Sequence, residues 1–89
     1  MICENVTIAN KLGMHARASA KFVQLSSAYG CDISLTRDGQ TVNGKSIMGI
    51  MMLAASKGAQ IKLCTEGEDE EQAMQALLDL INDRFGEDE

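Results

Sequence analysis

Cys31-Asp32-Ile33-Ser34-Leu35-Thr36-Arg37-Asp38-Gly39-Gln40-Thr41-Val42-Asn43 is the stretch on which the fold turns. Cys31, Ile33 and Leu35 alternate with Asp32, Ser34 and Thr36, the period of a strand with one buried face. Asp38-Gly39 supplies a dipeptide suited to a two-residue hairpin turn, and Gln40 to Asn43 return as a second strand. The flanking segments decide what covers the apolar face of this hairpin.

On the N-terminal side, Ile2, Val6 and Ile8 fall on one face and Cys3, Asn5 and Thr7 on the other, which predicts a strand over Ile2 to Ile8. Asn10 to Met14 read as a loop. From Ala16 to about Ala28 the spacing of Ala18, Phe22, Leu25 and Tyr29 is helical, with Gly30 as the expected stop. On the C-terminal side, Ile47, Ile50, Met51 and Ala54 predict a short helix capped by Ser46 and kept brief by Gly49. After Lys57-Gly58, Ile61 and Leu63 alternate with Lys62 and Cys64 in a further strand. A last helix follows Gly67, with capping-box spacing at Asp69 and Gln72 and a buried stripe of Ala73, Leu77, Leu80 and Ile81.

The order β-α-β-β-α-β-α predicts an α+β domain, a four-stranded antiparallel sheet with helices on one face, over residues 1–89 as a single unit. Asn5, Thr7, Ser34, Thr36 and Lys62 would form its wet face. At 45% apolar and 24% charged, the chain has the composition of a packed globular domain. The longest apolar run, Ile47 to Ala55, is far short of the ~20 residues of a bilayer span. Met1-Ile2-Cys3-Glu4-Asn5 lacks the basic and apolar regions of a secretory signal, so the cytoplasm is the expected compartment. Cys3, Cys31 and Cys64 are odd in number and widely spaced, and there is one histidine. Neither a disulfide framework nor a metal site is expected; the three cysteines read as small buried hydrophobes on strands.

The net charge of −5 is divided. Lys11, Arg17, Lys21, Arg37, Lys45, Lys57 and Lys62 outnumber Glu4, Asp32 and Asp38 before residue 66, whereas residues 66–89 are acidic apart from Arg84. With few aromatics and no basic run, nucleic acid is not the expected partner; a basic body suits an acidic protein surface.

His15 stands at a loop-to-helix junction, Leu12-Gly13-Met14-His15-Ala16-Arg17. The first N–H groups of a helix lack internal partners, and the macrodipole favours an anion there. Arg17 could add a planar fork of donors for phosphate oxygens, and a neutral imidazole can attack phosphorus. Residue type and spacing alone favour a plain solvated cap, which leaves phosphate binding as the minority reading at this point.

Lys11-Leu12-Gly13-Met14-His15-Ala16-Arg17, followed by an apolar helix, then Gly44-Lys45-Ser46-Ile47-Met48-Gly49-Ile50-Met51-Met52-Leu53 and an acidic final helix, resembles the histidine-containing phosphocarrier (HPr) family of the bacterial phosphotransferase system. The likeness covers essentially the whole chain. It implies the HPr-like open-faced β-sandwich, with strand order 1-4-2-3 under three helices. It also implies that His15 accepts a phosphoryl group on Nδ1 from phospho-enzyme I, charged by phosphoenolpyruvate, and passes it to an enzyme IIA.

By the same resemblance, Arg17 stabilises the phosphoryl oxygens, and the N–H groups of Ala16 and Arg17 form the anion cradle. The chain would be a relay intermediate rather than a stand-alone enzyme, a monomer, with no cofactor and no membrane insertion. Ser46, an ordinary helix cap on its own, occupies the position that an HPr kinase/phosphorylase modifies in many bacteria. A rival reading is a regulatory HPr-like binding protein that acts through Ser46 phosphorylation without histidine transfer.

The family usually has Pro-Ala where this chain has Ala18-Ser19, so a residue that fixes φ and removes an unpaired N–H is missing from the first turn. Met51 is expected in the core. Met14, Lys45, Ile47 and Met48 are expected to contact partners as an adaptable apolar patch with a basic rim.

Overall fold

A computed structural model describes all of Met1–Glu89. The elements run β1 (Ile2–Thr7), α1 (Ala16–Ser26), β2 (Asp32–Arg37), β3 (Gln40–Asn43), α2 (Ile47–Met52), β4 (Gln60–Glu66) and α3 (Glu70–Asn82), closed by a 3₁₀ turn at Arg84–Gly86. The hairpin forms as the sequence predicts. Asp38 (φ 51°) and Gly39 (φ 83°) both take the left-handed backbone that matches the twist of the flanking strands. All strand pairs are antiparallel, in the order β1-β4-β2-β3, with Val6 opposite Ile61 and Leu35 opposite Leu63.

Period-two alternation sends Val6, Ile33, Leu35, Ile61 and Leu63 to one face of the sheet. They meet Ala18 and Phe22 from α1, Ile50 from α2, and Ala73, Met74, Leu77 and Ile81 from α3 in one continuous core. Asn5, Thr7 and Lys62 are exposed on the opposite face, as expected.

Four local readings are corrected. Helix α1 ends at Ser26 with Ser27 as its cap, not Gly30, because i→i−3 turns take over, the Ala28 N–H donating to the Leu25 carbonyl and the Tyr29 N–H to that of Ser26, each at 3.1 Å. Met51 is exposed, since the six-residue α2 offers only Ile50 to the core. Asp69 makes no capping bond to α3; its carboxylate instead accepts the N–H groups of Gly30 (2.9 Å) and Cys31 (3.0 Å), tying α3 to the entrance of β2.

The cysteines form the fourth. Cys31 is buried and free, but Cys3 and Cys64 are direct cross-strand partners on the polar face, Cα atoms 4.1 Å apart, and are joined by a disulfide. Parity and spacing in the sequence carry no register information, and the register is what brings these two together.

Candidate functional site

The loop before α1 is held against the segment after α2 by an approach that only glycine permits. Gly13 has φ +66°, and a Cβ there would lie 2.5 Å from the Ala55 carbonyl oxygen. The Met14 N–H donates to that same oxygen at 2.8 Å, and the Met14 side chain enters the core. His15 is thereby delivered to the N-cap of α1 with extended backbone, φ −73° and ψ 180°.

Its Nδ1 accepts the Arg17 N–H at 3.2 Å, so the imidazole itself closes the first turn. Ser19 is fully buried, and its hydroxyl donates to the Met14 carbonyl at 3.1 Å. That bond ties the first turn to the loop where the family usually relies on proline. The substitution of Ala18-Ser19 thus comes with its own tether.

The other ring nitrogen meets the C-terminal tail, a contact with no sequence signal. Phe85 is fully buried although Arg84 and Phe85 both have positive φ, 54° and 56°. Burial of the Phe85 ring, worth about 1.5–3 kcal/mol, offsets much of the left-handed strain, about 1–2 kcal/mol at each of the two residues. Lys21 Nζ donates to the Phe85 carbonyl at 2.6 Å, and the Lys11 N–H to that of Glu89 at 2.7 Å. Between these anchors, Glu87 Oε2 lies 2.5 Å from His15 Nε2. Its Oε1 accepts from Asn10 Nδ2 at 2.9 Å, and the same amide donates to the Gly13 carbonyl at 2.8 Å.

The bond from Asn10 holds the Glu87 carboxyl below its ordinary range, helped by His15 and by the charge of Lys21 and opposed by burial. A carboxylate can only accept and a backbone N–H can only donate. The two contacts therefore select one tautomer, with the proton on Nε2 and the lone pair on Nδ1.

Lys11, Leu12, His15, Ala16, Arg17 and residues 87–89 line an open depression. Arg17, one of these lining residues, is exposed and takes part in none of the ion pairs. The charge division of the sequence does not separate two faces here, because Glu87, Asp88 and Glu89 return to the basic loop. The chain's topology, not its composition, places them.

Ser46 is the N-cap of α2, its Oγ accepting the Gly49 N–H at 3.1 Å. Ile47, which the helical spacing puts on one stripe with Ile50 and Met51, is exposed beside it together with Met48, and Met51, Met52 and Leu12 add exposed apolar surface. Two expected contact residues behave otherwise. Met14 is 8% exposed and belongs to the core, because the loop that presents His15 is anchored by that side chain. Lys45 is half-buried with its Nζ on the Tyr29 carbonyl at 2.7 Å. Asn10, Ser19 and Glu87 were not legible as site residues in the sequence.

A helix capped by an imidazole, with an arginine beside it at an open hollow, on an antiparallel sheet of order 1-4-2-3, defines a small histidine-bearing phosphoryl-carrier domain. Residues 2–83 match the family described as the PTS HPr component phosphorylation site, and the chain belongs to that family. It is 55% identical over 89 residues, all of both chains, to the phosphocarrier protein HPr of Neisseria meningitidis serogroup A. The crystal structure of HPr-C-His from Thermoanaerobacter tengcongensis superposes with a TM-score of 0.97 at 48% identity, covering 100% of both chains. The HPr-like protein Crh of Halalkalibacterium halodurans is 44% identical over 81 residues, 91% of this chain and 96% of that one. The chain is thus a phosphocarrier of the phosphotransferase system, and none of its helices is long and apolar enough to cross a membrane.

Proposed function

We propose that His15 is the phosphoryl acceptor, taking the group on Nδ1 from the phosphohistidine of enzyme I and passing it to a histidine of an enzyme IIA. The observation that carries this reading is the imidazole at the N-cap of α1, with its Nδ1 lone pair directed at the Arg17 N–H. In the resting state that N–H is taken up by the ring. When Nδ1 bonds to phosphorus, the lone pair is consumed and the N–H is released to a phosphoryl oxygen. The donor histidine leaves with the electron pair of the broken P–N bond, and the Nε2 proton of His15 stays in place. Ala16 and Arg17 N–H groups then form the cradle and the Arg17 guanidinium the outer clamp. Positioning and charge stabilisation make up most of such catalysis, so the carrier needs no cofactor of its own.

Ser46 is the proposed regulatory site. A phosphate on its Oγ would stand at the start of α2 and add about two negative charges next to Ile47 and Met48, the surface offered to partners. An HPr kinase/phosphorylase is the proposed modifying enzyme. The exposed apolar residues around α2, with Arg17 at the rim, suit an acidic-rimmed partner, and the chain acts as a freely diffusing cytoplasmic monomer. The Crh-like alternative, regulation through Ser46 alone, is disfavoured by the joint presence of His15 and an unengaged Arg17.

Incubation with enzyme I and phosphoenolpyruvate tests the assignment. Wild-type chain should form an acid-labile, base-stable phosphoramidate, and His15→Ala should form none. Undiminished labelling of the alanine variant would overturn His15 as the acceptor.

A further inference from the structure

We propose that Glu87 is a positioning residue that sets how tightly His15 holds its phosphoryl group; the reading rests on His15 being the acceptor. Neutral His15 carries its proton on Nε2, toward Glu87 Oε2 at 2.5 Å. Attack through Nδ1 forms the N–P bond without loss of that proton, so the ring of the product carries a positive charge that the free ring does not. Glu87 is the carboxylate in contact with the ring as that charge develops. Before transfer only the acceptor of this bond is ionised; on phosphorylation both partners are, and the contact becomes a full ion pair, which strengthens it further.

The phosphoryl group sits on the opposite ring nitrogen, on the side of Arg17, so its own negative charge is met by cations rather than by Glu87. The other charged groups around the ring are Lys11, Asp88 and Glu89, which line the same hollow, and Lys21, which acts on Glu87 from α1. Lys11 is paired with Glu89 at 3.3 Å, leaving Glu87 as the tail carboxylate on the imidazole.

The seat of Glu87 is built rather than incidental. Its side chain is 14% exposed. Its second oxygen is held by Asn10, which is itself fully buried, and the backbone around it is pinned by buried Phe85 and by Lys21. Glu87→Gln is the informative variant, because it keeps the shape of the side chain, its oxygen can still accept from His15 Nε2, and it removes the charge at the expense of the bond from Asn10 Nδ2.

The test is the equilibrium between phospho-enzyme I and phosphorylated carrier, measured for wild type, Glu87→Gln and Glu87→Ala, together with the rate of donation to enzyme IIA. An equilibrium among free species is independent of how well the proteins dock, so a merely structural or docking role would not move it. Loss of that ion pair should shift this equilibrium about tenfold toward phospho-enzyme I in both variants. Acceptance should be slower and donation to enzyme IIA faster. An unchanged equilibrium in Glu87→Gln, or equal slowing of both directions, would overturn the proposal while leaving His15 as acceptor. Failure of the wild-type chain to be labelled would overturn the phosphocarrier assignment and this one with it.

Discussion

At the start of α1 an imidazole closes the first turn, and at the start of α2 a hydroxyl does so, with cap distances of 3.2 Å and 3.1 Å. The local architecture of the two ends is nearly the same, yet their surroundings differ. His15 is flanked by the tail carboxylate, by Asn10 and by Arg17, whereas Ser46 is flanked by exposed Ile47 and Met48. A cap satisfies backbone donors at either end. On the proposed reading, what suits the imidazole to act as a nucleophile is the group on the far side of its ring, which fixes the proton on Nε2 and would answer the charge that transfer creates. A positive imidazole at a helix N-terminus is otherwise mildly disfavoured by the macrodipole, and Glu87 offsets that cost.

The comparison breaks most sharply under alanine. His15→Ala and Ser46→Ala should each lose about 1 kcal/mol of stability, the worth of a helix cap, in urea titrations. Their phosphoryl-acceptance rates should diverge by about a thousandfold or more, because only His15 supplies a nucleophile. Equal loss of acceptance in the two variants would mean that both ends act only by holding the fold.

Next in size is a region that should affect neither end. Cys3 and Cys64 link β1 to β4 on the polar face of the sheet, closing a sequence separation of 61 residues. A link over a loop of that length is worth about 2–4 kcal/mol, chiefly by restricting the unfolded chain. In a domain of this size, reduction should lower the melting temperature by about 10 °C or more. Phosphoryl acceptance at 25 °C should be unchanged, since the helices and the His15 hollow lie on the other face. A reduced protein that melts normally but transfers slowly would contradict the separation of fold and site drawn here.

Charge at the second end sharpens the contrast. Ser46→Asp should leave α2 folded, as an acidic side chain is favoured at a helix N-terminus by about 0.3–1 kcal/mol. It should slow acceptance from enzyme I about fivefold to tenfold at low salt, with a smaller effect at high salt, because like charge at a docking rim acts on encounter. Stopped-flow transfer over a range of ionic strength measures both. No change at any salt would remove Ser46 from the docking surface.

The sequence was legible where periodicity carries the information. Val6, Ile33, Leu35, Ile61 and Leu63 announce their strands, Asp38-Gly39 its turn, and Phe22 and Leu77 their helices. His15 and Ser46 were visible because caps are local. Glu87, 72 residues from His15, was not. Its placement depends on Phe85 adopting a left-handed backbone and filling the core, which no pattern of spacing encodes. Met14 misled for a related reason. Its neighbours are polar or small, so nothing in the sequence distinguishes a loop methionine that faces a partner from one that anchors the loop.

A third helix start tests whether a cap is needed at all. Asp69 stands at the N-cap of α3 and makes no bond to that helix; its two oxygens are spent on the Gly30 and Cys31 N–H groups. The Gly30 bond above all holds its carboxyl below the ordinary value of 3.8, opposed by desolvation and helped by the bonds with Cys31. The unfolded chain therefore takes up this proton at higher pH than the folded one. The stability that Asp69 contributes is fully present above about pH 5, and it declines as pH falls through the unfolded and then the lower folded value. Glu70 and Glu87 are lowered in the same direction, so the acid limb is shared among three carboxylates. Asp69→Asn can accept through one oxygen only and carries no charge. It should lose a modest part of the stability at neutral pH and show a shallower decline between pH 5 and pH 3 in urea midpoints, with phosphoryl acceptance by His15 unaffected. An acid limb as steep as that of the wild type would mean that Glu70 and Glu87 carry it alone and that the Asp69 bridge between α3 and β2 adds nothing to the fold.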